Sequence, residues 1–183
     1  MKPESEAIAY PATTEIPVSA GDLIVLVGAS GSGKSRFARR NFSDTEILSS
    51  DRFRAMISDS EDDQSVSQAA FDLLYRLARL RLSAGRLTVV DATSATRASR
   101  KRLTAIARAT GSSAVAIVFE LPLDECVRRD AARLDRSVGP AVIERQFEEL
   151  GAVREAIAGE DFDRMHVLAG AAAIDAARVV RTR

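Results

Sequence analysis

The sequence predicts an α/β domain, a parallel sheet of about five strands flanked by helices. Short apolar runs alternate with longer amphipathic stretches along 183 residues, the pattern of a sheet covered on both faces. A glycine-rich turn, Gly28-Ala29-Ser30-Gly31-Ser32-Gly33, sits between the first long apolar run and the first amphipathic stretch. Hydrophobic residues at 46% and charged residues at 28% are ordinary globular usage, enough to bury one core.

Residues 1–20, with two early prolines and Glu4 and Glu6, read as a loose N-terminal arm, leaving 21–183 as one domain. The strands then follow in order at 23–27, 45–49, 86–90, 114–120 and 164–168. Between them lie helices at 34–42, 51–57, 65–84, 97–110, 124–134 and 141–158. The segment 65–84 carries an apolar stripe at Ala70, Phe71, Leu74, Leu77 and Ala78 and stops at Gly85, while Gly139-Pro140 opens the last helix. From residue 171 onward the pattern suits helix and strand equally.

Composition excludes several functions. With 26 Lys+Arg against 26 Asp+Glu, attraction to a polyanion must come from local clustering. One cysteine, Cys126, supplies neither an internal disulfide nor a cysteine-rich zinc site. That usage suits a reducing, cytoplasmic compartment. The longest apolar runs fall far short of the roughly 20 residues that span a bilayer, and no signal-peptide order is present. No Trp and 5% aromatics argue against a broad base-stacking platform.

Four constellations carry chemistry. The first is the complete G-x-x-x-x-G-K-[ST] run Gly28 to Ser35, after a strand and before a helix. Glycines let successive N–H groups converge on phosphate oxygens, and the helix N-terminus adds its positive end. Lys34 then reaches the β- and γ-phosphates, and Ser35 offers a hydroxyl to Mg²⁺. The second is Asp51 with Arg54, three residues apart at the carboxyl end of the strand 45–49. A carboxylate that accepts a hydroxyl proton beside a guanidinium that grips a phosphate suits a phosphorylated alcohol acceptor. The same pair also suits a helix N-cap and a solvated arginine. The third is Asp91, closing the strand Leu87 to Val90, as required of a group that positions Mg²⁺. The fourth is Arg129, Arg133 and Arg136, spaced to line one side of a helix and its exit, either as a lid over triphosphate or as ion-pair partners of Asp124, Glu125, Asp130 and Asp135.

The cations Arg97, Arg100, Lys101, Arg102 and Arg108 fall on one predicted helix. A phosphate-tracking face and a solvated outer face both fit, and the second is preferred. His166 and Cys126 read as packed residues.

Together, GASGSGKSRFARRNF, SSDRFRAMISDSEDDQS, GRLTVVDATS and the Cys126-to-Arg136 arginine stripe resemble the kinase module of bacterial polynucleotide kinase-phosphatase, over about residues 16–168. The phosphate loop is widely shared; the Asp-x-x-Arg segment followed by VVDAT is more specific. The resemblance implies a P-loop kinase fold with a helical, arginine-bearing lid, ATP and Mg²⁺ as cofactors, and transfer to the 5′-hydroxyl of RNA or DNA. It implies catalytic roles for Lys34, Asp51 as base, Arg54 on the acceptor phosphate, and Arg129. Triphosphate contacts would come from Gly28, Ser30, Gly31, Ser32, Gly33, Lys34, Ser35, Arg36, Arg129, Arg133 and Arg136, and metal contacts from Ser35 and Asp91. Partners would be 5′-hydroxyl RNA or DNA ends and separate phosphatase or ligase proteins, with no membrane. Two residues depart from the family pattern: Arg36 replaces its Thr, and Ser94 replaces the Asn of DATN. A stand-alone kinase and an excised domain fit equally. Two other functions are compatible with the residues, a P-loop kinase for a small-molecule hydroxyl and an ATP-binding module without turnover.

Overall fold

The computed structural model describes residues 15–133 and 137–182. Strands β1 (Glu15–Val18), β2 (Leu23–Val27), β3 (Ile47–Ser49), β4 (Thr88–Asp91), β5 (Ala114–Glu120), β6 (Arg164–Ala169) and β7 (Arg178–Arg181) alternate with helices. These are α1 (Lys34–Asn41), α2 (Ser50–Ser58), α3 (Ser67–Ser83), α4 (Arg97–Ala109), α5 (Leu123–Ala131), α6 (Pro140–Leu150), α7 (Val153–Ala158) and α8 (Gly170–Ala176). Five strands form the main sheet in the order β3-β4-β2-β5-β6, every pair parallel.

The alternation of side chains along β2 divides the core. Ile24 and Leu26 join Phe37 and Ala38 of α1, Ile143 of α6 and Ile174 of α8 on one face. Leu23, Val25 and Val27 join Leu74 and Ala78 of α3, Leu103 and Ile106 of α4, and Ile157 of α7 on the other. Because both faces are buried, β2 reads as a continuous apolar run with no polar alternation.

Two expectations are corrected and one open reading is resolved. The loose arm does not extend through residue 20, since β1 pairs in parallel with β7 in a second, two-stranded sheet and buries Ile16 and Val18 completely. Residues 1–14 lie outside the described part. The tail is both helix and strand, α8 followed by β7. The single helix over 141–158 is broken at Gly151, whose φ of 42° and ψ of −127° end α6 before α7 starts.

A parallel sheet opens all its strands at one edge. There β2 runs into the glycine loop, β3 into Ser50 and Asp51, and β4 into Asp91, with Ser49 and Asp91 in direct register. Gly28 donates its N–H to the Thr93 carbonyl at 3.1 Å, tying the glycine loop to the segment after β4. Ligands occupy this edge in open α/β sheets.

Candidate active site

The glycine loop is shaped by close packing. Gly31 has φ +80°, and a Cβ there would lie 2.2 Å from the Cys126 carbonyl oxygen, so α5 packs backbone to backbone on the loop. Gly33, at φ +98°, caps α1 without a side chain, leaving the helix N-terminus open toward an anion. The Lys34 amine is buried and donates to the Gly28 and Ala29 carbonyls, both at 2.7 Å. From α6, Gln146 accepts the Ser30 N–H on its side-chain oxygen at 2.7 Å. Nothing in the sequence singles out Gln146; only the packing of α6 over the loop brings it there.

The acceptor side is built on α2. Ser49 is the N-cap, accepting from the Arg52 N–H at 3.4 Å, so Asp51 is free of the capping role that its position also suited. The Asp51 carboxylate is held by Arg54, one turn on, and by the Ser50 hydroxyl. Arg54 is almost fully buried and also donates Nε–H to the Glu61 carbonyl at 2.7 Å, so it is not a solvated arginine. Asp91 is buried as well. Burial pushes its carboxyl above the usual range, with the Lys34 charge and a Ser35 hydrogen bond acting in the opposite direction.

Two cavities meet at this point. One, of about 740 Å³, is lined by Gly31, Gly33, Ser35 and Arg36, among others, and by Arg129. The second, of about 560 Å³, is lined by Ser30, Lys34, Arg54, Phe71, Thr93 and Gln146, among others. Ser35, Asp51, Asp91 and Arg133 line both. Hydroxyl, two carboxylates and a guanidinium therefore surround the junction.

The lid arginines divide. Arg129 is held by Glu125 at 2.7 Å, and its Nη1 lies 3.9 Å from the position a Gly33 Cβ would take, beside the loop. Arg133 stands 3.9 Å from the Asp130 carboxylate, and Arg36 lines the first cavity while pairing with Asp175 at 3.6 Å. Arg128 pairs with Glu125 at 2.5 Å, as an ion-paired helix face requires. Arg136 lies outside the described residues. Fully buried Asp130 folds the return from α5 to α6, accepting from the Ser137 hydroxyl at 2.8 Å and the Val138 and Gly139 N–H groups at 2.9 and 3.2 Å.

The basic helix is not a uniformly solvated face. Arg100 is buried, donates to both Glu160 oxygens at 2.8 Å, and binds the Ser94 and Ala95 carbonyls at 2.9 and 2.6 Å. Arg102 and Arg108 pair with Asp72 and Asp161 at 3.3 and 2.7 Å. Cys126 is buried, its thiol pushed up to about 11 by desolvation, and His166 is half-buried in β6.

Among the described residues no cluster of three or more His, Cys, Asp or Glu could hold a metal. One hydroxyl and one carboxylate, Ser35 and Asp91, suit Mg²⁺, which keeps its waters and binds largely through substrate phosphates. No described helix is long and apolar enough to cross a membrane.

A family model described as an AAA domain matches residues 23–157, three-quarters of the chain. The chain belongs to this family. Among solved structures, a chain of the Pnkp1/Rnl/Hen1 RNA repair complex is 27% identical at a TM-score of 0.61, over 76% of this chain and 47% of that one. This chain thus spans about half the length of that relative. The APS kinase of Mycobacterium tuberculosis, in complex with AMPPNP and APS, is 19% identical at a TM-score of 0.53, over 87% of this chain and 95% of that one. A gluconokinase from Sinorhizobium meliloti is 20% identical at a TM-score of 0.52, over 83% and 84%. The latter two share the fold alone. No curated protein sequence matches the chain. The AAA-domain chain has the P-loop kinase-like fold.

Proposed function

We propose that this AAA-domain chain transfers the γ-phosphate of ATP to the 5′-hydroxyl end of RNA or DNA. The observation that carries the reading is Asp51, at the junction of the two cavities and paired with Arg54 of the second, whose wall also carries Ser30 and Lys34 of the glycine loop. The 27% identity to a chain of an RNA repair complex supports this acceptor over a small molecule.

In this reading the loop N–H groups and Lys34 cradle the β- and γ-phosphates, and Lys34 exchanges its two loop carbonyls for phosphate oxygens. The acceptor oxygen attacks the γ-phosphorus from the side of the second cavity. The bond from phosphorus to the β,γ-bridging oxygen breaks as ADP leaves, and the hydroxyl proton passes to the Asp51 carboxylate. Arg54 fixes that carboxylate and turns its remaining N–H groups toward the acceptor's first phosphate. Arg129 and Arg133 add positive charge where the transferring oxygens gather it. Ser35 and Asp91 would hold Mg²⁺, which would neutralise triphosphate charge.

The test is an acceptor screen with γ-labelled ATP and Mg²⁺. Label is expected on an oligonucleotide carrying a 5′-hydroxyl and a 3′-phosphate. Label on nucleosides, sugars or adenylyl sulfate with none on the oligonucleotide assigns the chain to small molecules. ATP binding without transfer to any acceptor reduces it to a binding module.

A further inference from the structure

Resting on the polynucleotide reading, we infer that the strand beyond the phosphorylated nucleotide occupies a second subsite, a trough between α3 and the start of α4. A third cavity, of about 390 Å³, lies there. It shares Phe71 and Thr93 with the second cavity, so the two adjoin along these residues. Ser67, Phe71 and Tyr75 recur every four residues on α3, so the two cavities lie in line along one helix face for about 12 Å. The line starts at Ser67, in the cavity that holds Asp51 and Arg54, and ends at Tyr75.

The lining fits single-stranded nucleic acid. Phe71 and Tyr75 lie with ring centroids 5.9 Å apart and tilted by 31°. The Arg102 guanidinium lies 4.1 Å from the Tyr75 centroid, half exposed and steered by Asp72. Tyr75 itself is buried at 7% exposure, so the surface offered to a base is the partly buried Phe71 ring and the guanidinium plane that covers Tyr75, a combination on which bases stack and backbones anchor. Gln68, Thr96 and Ser99 add neutral donors and acceptors, and among the described residues Glu149 is the one acid lining this third cavity. A single hydroxylated metabolite would be spent within the second cavity and would leave this continuation unused. The platform is narrow, which is how a chain with no Trp and 5% aromatics still offers one.

Chain length separates the subsite from the transfer chemistry. The acceptors are a nucleoside 3′-phosphate and a trinucleotide with a 5′-hydroxyl, compared by kcat/KM in the parent protein, Arg102→Glu and Arg102→Lys. The parent is expected to favour the trinucleotide by about tenfold or more, carried in KM. Arg102→Glu abolishes most of that ratio, and Arg102→Lys retains a substantial part of it. Arg102 is exposed enough for both variants to fold, which thermal melting verifies. Equal use of both acceptors by the parent, or the same ratio in Arg102→Glu, overturns the subsite while leaving the kinase reading intact. No label on either acceptor defeats both.

Discussion

Replacing Asp51 by Asn separates its chemical role from its structural one. The Asp51 side chain is 32% exposed and the Arg54 side chain 6%. An Asn side chain of the same shape still offers its oxygen to Arg54, whose Nε–H keeps the Glu61 carbonyl at 2.7 Å. The loss is the charge assistance of one partly solvated hydrogen bond, about 1 kcal/mol, which lowers the Tm by roughly 2–4 °C in a chain of this size. Asp51→Ala removes the acceptor oxygen altogether and leaves a nearly buried guanidinium short of a partner, costing about 1–3 kcal/mol. If Asp51 takes the hydroxyl proton, both variants lose a positioned base, a drop of about 10²–10⁴ in the transfer step. That drop corresponds to about 2.7–5.5 kcal/mol of barrier. The assay is single-turnover transfer at saturating ATP, with nucleotide affinity and Tm measured on the same preparations. ATP affinity should change little, because the loop and Lys34 are untouched. Asp51→Asn retaining turnover within about tenfold of the parent removes Asp51 as the base. Loss of ATP binding in parallel with turnover makes it a structural residue of the loop.

Gly31→Ala should abolish nucleotide binding and lower the Tm, since its φ is +80° and the new methyl would sit 2.2 Å from the Cys126 carbonyl. Retained affinity measured by calorimetry would show that the loop and α5 separate without cost. Burial lowers the His166 pKa from 6.5, with the Arg164 charge adding to the effect. The unfolded chain therefore takes up that proton first, and the stability it contributes is present above 6.5 and lost as the pH falls below it. The urea midpoint should decline from pH 7 toward pH 5.5 by a margin that His166→Gln reduces; equal slopes in the two proteins would refute the effect.

The glycine loop was legible because each of its requirements is local: a positive φ, a turn and a lysine one residue on. The meeting of Asp51 and Asp91 was legible too, since parallel strands expose their carboxyl ends together and the register places Ser49 opposite Asp91. The pairing of β1 with β7 was not. Each strand has four residues, β1 contains Pro17, and Glu15 finds its partner at Arg178. Short segments so far apart pair only because the sheet between them brings their ends together. Ser94 adopts φ +47°, a left-handed conformation that Asn tolerates better than Ser. Its departure from DATN therefore concerns backbone strain in the segment that receives the Gly28 N–H as much as any acceptor contact.

Arg100 is the instructive misreading. The excess of cations on α4 suggested a solvated face, yet the helical period places residue 100 with Leu103, Thr104 and Ala107, all buried on the inner side. An arginine on an apolar stripe is always charged, so it requires a carboxylate, and the acid had to be sought where another loop crosses the helix. Glu160, between α7 and β6, fills that requirement with both oxygens at 2.8 Å. Such a pair adds little net stability against an apolar replacement. Its consequence lies in the remaining N–H groups, which hold the Ser94 and Ala95 carbonyls and so fix the segment that leads from Asp91 into the trough. Charge composition described the helix as a surface, whereas periodicity already placed one of its cations inside, and where the two conflict the geometric signal is the one to follow.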